Sequence, residues 1–330
     1  MKLPVSENEP DTASRPATLT IGVLMGGSSR ERKVSLRSGR AVAAALRSLG
    51  HDVRPADVRP GGVTARLLDG LDVAFLALHG EWGEDGGIQQ ELQDLGVCYT
   101  FSGPEASRLA MDKVRAKERF SDEGVPTPAF RVAAPDDLAV LEEAMERLGP
   151  RLVVKPVADG SSIDIGMAGS RAALRRAARK VWARGESALV ERRILGREFT
   201  VGILGETALP LLEIRTPGGW YNYHYKYKSK RTRYVFDHGL PPDREARILE
   251  VALAAHRALG CRDLSRADIM LPEEGEPQVL EINTIPGFTS HSLVPKAAAR
   301  AGIAFPKLCE RLVAMARRRA QREARGRKLP

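Results

Sequence analysis

Apolar residues recur along this chain in rhythms that alternate between strand and helix. The run TLTIGVLMGGSS (18–29) is almost continuously apolar and ends in glycines, as expected of a strand buried on both faces. Val42, Leu46 and Leu49 follow at helical spacing and stop at Gly50. A second apolar strand, LDVAFLAL, and a short helix, GIQQELQDLG, complete a strand-helix-strand-helix order. That order predicts a doubly wound, Rossmann-like domain with a parallel sheet over residues 18–105.

The next stretch opens with a long polar helix, ASRLAMDKVRAKERFSDEG (106–124). Strand patterns AFRVA, LVVKP and SALVERR then alternate with two amphipathic helices, predicting an α+β domain over 106–196. A third region, 197–315, begins with EFTVGILG and LPLLEIR, continues through the helix DREARILEVALAAHRALG, and closes on two strands. No internal repeat is visible.

Those closing strands carry the chemistry. In LSRADIML (264–271) period-two alternation puts Arg266, Asp268 and Met270 on one face, and in QVLEIN (278–283) it puts Val279, Glu281 and Asn283 on one face. The turn PEEGEP between them makes a hairpin, so the acidic faces become neighbours. A carboxylate in a buried sheet costs several kcal/mol unless it is compensated. Two carboxylates and an amide oxygen form a hard-oxygen site suited to Mg²⁺ beside substrate phosphates. From these residues alone an Arg-Asp-Glu salt-bridge cluster on a solvated face stays open.

Two loops bear on that choice. In VVKPVADGSSIDIG (153–166), Lys155 ends an apolar strand before a Gly-Ser-Ser turn able to cradle phosphate, although GxxxxGK[ST] is absent. In NTIPGFTSHS (283–292), Gly287 permits close backbone approach, and Ser290, His291 and Ser292 offer donors to an anion. His291 has no evident partner and reads as structural.

Composition narrows the class. With 330 residues, 43% hydrophobic and 28% charged, the chain is an ordinary globular protein of two or three domains. Its +9 charge is concentrated in HYKYKSKRTR (224–233) and the tail 316–330, leaving the rest near neutral. Such a tail reads as a solvated helix end in preference to a nucleic-acid or membrane arm. Cys98, Cys261 and Cys309 are far apart without CxxC, which fits a reducing cytoplasm and neither disulfides nor zinc. Residues 1–17 are polar and lack an apolar signal core, so they read as a disordered leader, and no stretch is long and apolar enough to span a membrane.

Taken together, GGSSRERKVSL, ALHGEWGEDGGIQQELQDLGVCYTFSG, MDKVRAK, VVKPVADGSS, LVERRILGREFTVGIL, YNYHYKYKS, SRADIML and LEINTIPGFTSHSLVP resemble the D-alanine:D-alanine ligases of the ATP-grasp superfamily, in unbroken order from about residue 19 to 313. The resemblance implies an α/β, three-domain ATP-grasp fold with ATP held between two antiparallel sheets. It implies phosphorylation of one D-alanine carboxylate by ATP and attack on the acyl phosphate by a second D-alanine, with the dipeptide entering peptidoglycan. Asp268, Glu281 and Asn283 match the metal ligands for a pair of Mg²⁺ ions, with Mn²⁺ as a substitute. Arg266 and the Gly287 N–H match the groups that stabilise the transferring phosphoryl and the tetrahedral intermediate. Lys113 and Lys155 match the phosphate-binding lysines, with Ser162 in the same phosphate loop. Glu191, Arg192 and Ile194 match the adenine segment, and Glu198 the ribose carboxylate. Glu31, Ser161 and Tyr227 match a hydrogen-bonded trio at the first substrate, and Lys226 matches a loop lysine that reaches the phosphate. His79 is placed near the first substrate, and Ser292 with the Leu293 N–H at the second carboxylate. Read without the resemblance, Glu31 is a helix-start charge and the tyrosines near 221–227 an aromatic strand face; within it, the tyrosine segment becomes a water-excluding lid.

The resemblance also implies a homodimer. Departures from the pattern include Asp164 where glycine is usual, Arg193 near adenine, and His224, Tyr225 and KSKRTR in the lid. A related ligase taking D-serine or D-lactate as second substrate, and a non-catalytic nucleotide- or nucleic-acid-binding homologue, are the alternative readings.

Overall fold

The computed structural model describes residues 18–157, 165–217, 221, 225, 229 and 231–326. Three sheets carry the architecture. The first is parallel, in the order β2 (Asp52–Val58), β1 (Thr20–Gly26), β3 (Val73–Leu76), with Ile21 opposite both Val53 and Val73. β1 and β3 are buried almost throughout, whereas β2, an edge strand read as DVRPADV, buries only Val53 and Val58. That polar edge hid β2 from the hydrophobic pattern, which yielded only its two neighbours; Pro55 is tolerated on an edge. The helices Arg32–Ser48 and Phe305–Gly326 close this core, with Val42 and Leu46 from one and Leu308, Leu312 and Ala316 from the other packed among Val23, Phe75 and Leu76.

The basic tail begins inside that last helix. Arg318, Arg322 and Arg325 are exposed, but Arg319 is docked, with Nη1 at 2.6 and 2.8 Å from the two carboxylate oxygens of buried Asp263 and Nη2 donating to the Tyr99 carbonyl. Asp263 also accepts from the Phe101 N–H at 2.9 Å, so one carboxylate ties the first domain, the last helix and the start of the hairpin together.

The second sheet is antiparallel, in the order β4 (Phe130–Ala133), β7 (Ala188–Arg192), β5 (Leu152–Pro156), β6 (Gly166–Ala168). Helices Leu138–Leu148 and Arg171–Trp182 cover one face, where Leu152, Val154, Ala188 and Val190 meet Leu141, Leu174 and Val181. Alternation therefore turns Lys155 and Glu191 to the other face. The long helix expected over 106–124 is divided instead. Asp112 adopts extended geometry and its carboxylate accepts from the Val114 and Arg115 N–H groups, ending Pro104–Met111 and starting Lys113–Asp122. The break makes Lys113 the first residue of a helix.

The third sheet, also antiparallel, runs β11 (Arg233–Val235), β10 (Leu212–Arg215), β8 (Gly196–Leu204), β12 (Leu264–Pro272), β13 (Gln278–Asn283), with β9 (Thr207–Ala208) paired to β8. The helix Pro242–Ala258 covers one face, burying Phe199, Val201, Ala267, Ile269, Val279 and Ile282. The opposite face carries Thr200, Arg266, Asp268, Glu281 and Asn283. One expectation fails here: Val279 does not share a face with Glu281. A bulge shifts the register so that Asp268 pairs with Glu281 while Ile269 pairs with Val279, and the strand turns Val279 into the core. Among the described residues no helix is long and apolar enough to cross a membrane.

Candidate active site

β12 and β13 set their polar residues in register. Asp268 is opposite Glu281 on one side and Thr200 on the other, and Arg266 is opposite Asn283. Arg266 holds Asp268 with two bonds, Nε to Oδ1 at 2.9 Å and Nη2 to Oδ2 at 2.8 Å, and Thr200 Oγ1 donates to Oδ1 at 2.7 Å. Burial disfavours the Arg266 charge, but Asp268 and Glu281 outweigh it and hold the guanidinium above its ordinary pKa. Asn283 Oδ1 accepts from the Ile285 N–H at 3.0 Å, which restrains the amide. Among the described residues no three His, Cys, Asp or Glu side chains form a metal cage. The oxygen set is instead two carboxylates and an amide, side by side, which suits a hard divalent cation completed by water and phosphate oxygens and does not suit zinc.

On the facing sheet, Glu191 lies buried between two lysines, Lys117 Nζ at 2.7 Å from Oε1 and Lys155 Nζ at 2.8 Å from Oε2. Burial alone would raise the Glu191 pKa, and the two ammonium groups reverse it, keeping the carboxylate below its usual range. Burial pushes Lys117 down, with Glu191 opposing. Lys117 also donates to Thr127 Oγ1 at 2.6 Å, which donates to the Val279 carbonyl at 2.8 Å, linking this cluster to β13. Lys117 was the last letter of MDKVRAK, but nothing local marked it as a partner of Glu191, 74 positions away in the chain. Two cations on one carboxylate leave a net positive charge in the buried face, fitted to an anionic ligand.

A cleft of about 490 Å³ opens where the acidic hairpin and the loop after β13 meet the first domain and the start of the helix Lys113–Asp122. Of the predicted residues Glu31, His79, Lys113, Arg266, Glu281, Asn283, Gly287, Ser292 and Leu293 line it. Asp268, Lys155, Glu191, Arg192, Ile194 and Glu198 lie outside its lining. Arg192 is exposed, its Nε donating to the Leu148 carbonyl at 3.2 Å. Glu198 is on the same face of β8 as Thr200. Ser161, Ser162, Lys226 and Tyr227, together with Asp164 and His224, lie outside the described residues.

One end of the cleft is anionic. Glu84, which sequence reasoning passed over within HGEWGEDGG, accepts from the Gly80 N–H through Oε2 at 2.7 Å. Its Oε1 is buried, has no hydrogen-bond partner among the described residues, and lies 3.7 Å from His79 Nδ1. Burial opposes the His79 charge, but Glu84 and Glu31 prevail and raise its pKa. The lining also carries cationic or donor groups, Arg266, Lys113, His291 and the helix start at Ser292 and Leu293. His291, read as structural, borders the cleft. Tyr221 and Tyr234 also line it, their hydroxyls 2.9 Å apart. A cleft lined by carboxylates and an arginine beside the acidic hairpin suits a zwitterion close to a polyphosphate.

Two antiparallel sheets with an acidic hairpin on one and buried lysines on the other define an ATP-grasp ligase, and solved structures share the fold. The Bacillus anthracis D-alanine–D-alanine ligase complexed with ATP superposes with a TM-score of 0.82 at 30% identity, covering 93% of this chain and 100% of that one. The VanG D-Ala:D-Ser ligase of Enterococcus faecalis gives 0.80 at 27% identity, over 91% and 99%. Residues 120–314 match the family described as D-ala D-ala ligase C-terminus. The D-alanine–D-alanine ligase of Marinobacter nauticus is 46% identical over 295 residues, 89% of this chain and 90% of that protein. The Bordetella petrii enzyme of the same name is 41% identical over 326 residues, 97% and 99%. The chain belongs to the D-alanine–D-alanine ligase family.

Proposed function

We propose that the protein joins two D-alanine molecules, using ATP to convert the first carboxylate into an acyl phosphate that the amine of the second attacks, with release of ADP and phosphate. The observation that carries this reading is the pairing of Asp268 with Glu281 on the open face of the third sheet, with Glu281 on a cleft that also holds Arg266 and Lys113. Carboxylate is a poor electrophile, and phosphorylation supplies the leaving group.

Each group of lining residues suits one part of this chemistry. Glu31 and Glu84, with His79 between them, receive the ammonium of the first amino acid. Its carboxylate then points towards Arg266 and the Gly287 N–H, which oppose the charge developing on the transferring phosphoryl and on the tetrahedral carbon. Ser292 and the Leu293 N–H, at a helix start, receive the second carboxylate. Lys113 and Lys155 approach the phosphates, the 191–194 backbone the adenine, and Glu198 the ribose. Ser161, Ser162, Lys226 and Tyr227 are assigned to the phosphate loop and lid by motif alone. Asp268, Glu281 and Asn283 would hold Mg²⁺ or Mn²⁺, which when bound neutralises the phosphate charge. We further read the chain as domains 18–105, 106–196 and 197–315 in a cytoplasmic homodimer.

D-alanine is preferred as second substrate because relatives above 40% identity carry the D-alanine–D-alanine name. Purified protein with MgATP should release phosphate only when D-alanine is present and form the dipeptide by mass spectrometry. Release without dipeptide in D-alanine, but with product in D-serine or D-lactate, would transfer the assignment to those substrates. No nucleotide-dependent product from any of them, in folded protein, overturns it.

A further inference from the structure

We infer that Ser38 is a positioning residue for the Gly287 backbone donor, acting with His79 as a two-point clamp on the loop after β13; the inference rests on the ligase reading of the cleft. Ser38 lies on the helix Arg32–Ser48, seven residues after Glu31, and is fully buried. Its Oγ accepts from the Phe288 N–H at 3.2 Å and lies 3.2 Å from His79 Nε2. On the far side of the ring, Nδ1 is 3.0 Å from the Ile285 carbonyl.

The Ile285 carbonyl fixes one proton of the ring. A carbonyl only accepts, so His79 Nδ1 carries a proton whether the ring is neutral or charged. In the neutral ring Ser38 O–H donates to Nε2, and in the charged ring, favoured by Glu84 and Glu31, Nε2 donates to the Ser38 oxygen. In both states that oxygen accepts from the Phe288 N–H and connects the first domain to a loop 250 positions further along the chain.

The two tethers bracket one peptide. The Ile285 carbonyl belongs to the unit entering Pro286, and the Phe288 N–H to the unit leaving Gly287. Between them lies the Pro286–Gly287 peptide, whose N–H has no acceptor among the described residues, and Gly287 borders the cleft. The ring of Pro286 fixes one torsion, whereas Gly287 has no side chain to restrain its own. Phe288 packs its ring among Phe75, Phe101 and Phe305, at 5.8, 6.0 and 5.6 Å, which holds the loop in place. Ring packing leaves the peptide plane free to tilt, and the Ser38 bond removes that freedom.

The test uses the full chain as wild type, Ser38→Ala and Ser38→Cys, with D-alanine and MgATP. Ser38→Ala should lower kcat about 10- to 100-fold with the KM for ATP unchanged, the size expected of a misplaced group. Ser38→Cys should recover part of it, since a thiol donates and accepts weakly. Nitrogen-15 spectra of the His79 ring should show a protonated Nδ1 in wild type and a changed Nε2 environment in Ser38→Ala. A kcat within about twofold of wild type in Ser38→Ala, or an equal loss in kcat and rise in the KM for ATP, overturns the inference. So does a wild-type ring whose Nδ1 is unprotonated, a measurement that stands if Ser38→Ala fails to fold. Wild type that makes no dipeptide refutes the ligase reading instead, and the ring tautomer then decides the clamp by itself.

Discussion

Glu281→Gln separates a ligand site from a structural ion cluster. Asp268 and Glu281 are direct cross-strand partners, and like charges so placed destabilise a sheet by about 0.2–1 kcal/mol. Arg266 donates to Asp268 through Nε and Nη2 and attracts Glu281 more weakly through space. Gln keeps the shape and removes a charge. Without metal, relief of repulsion and loss of attraction to Arg266 oppose each other, so stability should change by no more than about 1 kcal/mol, or about 2–4 °C in Tm. A structural cluster would instead lose about 1–3 kcal/mol when one partner is removed. Magnesium with ATP at ten times its Kd should add about 1.4 kcal/mol to wild type and much less to the variant. Turnover in the variant should fall by at least about 100-fold. Melting curves with and without MgATP, and phosphate release, are the assays. A metal-free loss above about 2 kcal/mol, an undiminished MgATP shift, or a kcat within about threefold of wild type would refute the ligand-site reasoning.

Other expectations concern the frame around the site. Burial lowers the His256 pKa from 6.5 to about 4, and its Nδ1 is 2.7 Å from Ser265 Oγ. Because the folded value is the lower one, the stabilisation is whole above pH 6.5 and lost as pH falls towards 4; at pH 5 wild type should have lost about 2 kcal/mol that His256→Gln does not lose. Urea titrations at pH 7.5 and pH 5 that shift equally in both proteins would contradict this. Arg319→Met removes the guanidinium from buried Asp263 and leaves its carboxylate the Phe101 N–H, which should cost about 3–5 kcal/mol in urea unfolding; a cost below about 1 kcal/mol would show that the latch is dispensable. Gly80 has φ +73°, and a Cβ there would meet Ser29 Oγ at 2.8 Å and Glu31 Oε2 at 3.2 Å. Gly80→Ala should therefore raise the KM for D-alanine more than the KM for ATP, and an unchanged KM for D-alanine would remove Glu31 from the first-substrate site.

Much of this was legible because period-two alternation survives folding when one sheet face is buried. Arg266 with Asp268, and Glu281 with Asn283, follow that rule, and the hairpin turn between them brings them together. Val279 breaks it, since a bulge is a local change of register that leaves no mark in an apolar alternation. The strand Asp52–Val58 was missed because an edge buries only two of its residues, and the division at Asp112 was missed because a capping carboxylate inside a polar helix looks like any surface acid.

The sequence by itself determined the order of strands and helices, the acidic hairpin and the oxygen chemistry of its ligands, since each depends on neighbours a few residues apart. Only tertiary structure decided which distant groups meet: Lys117 with Glu191, Arg319 with Asp263, Ser38 with Phe288. Such pairings arise from how separately formed sheets and helices pack, and the energy of a buried charge or an unmade hydrogen bond is set by that packing, which no local pattern encodes.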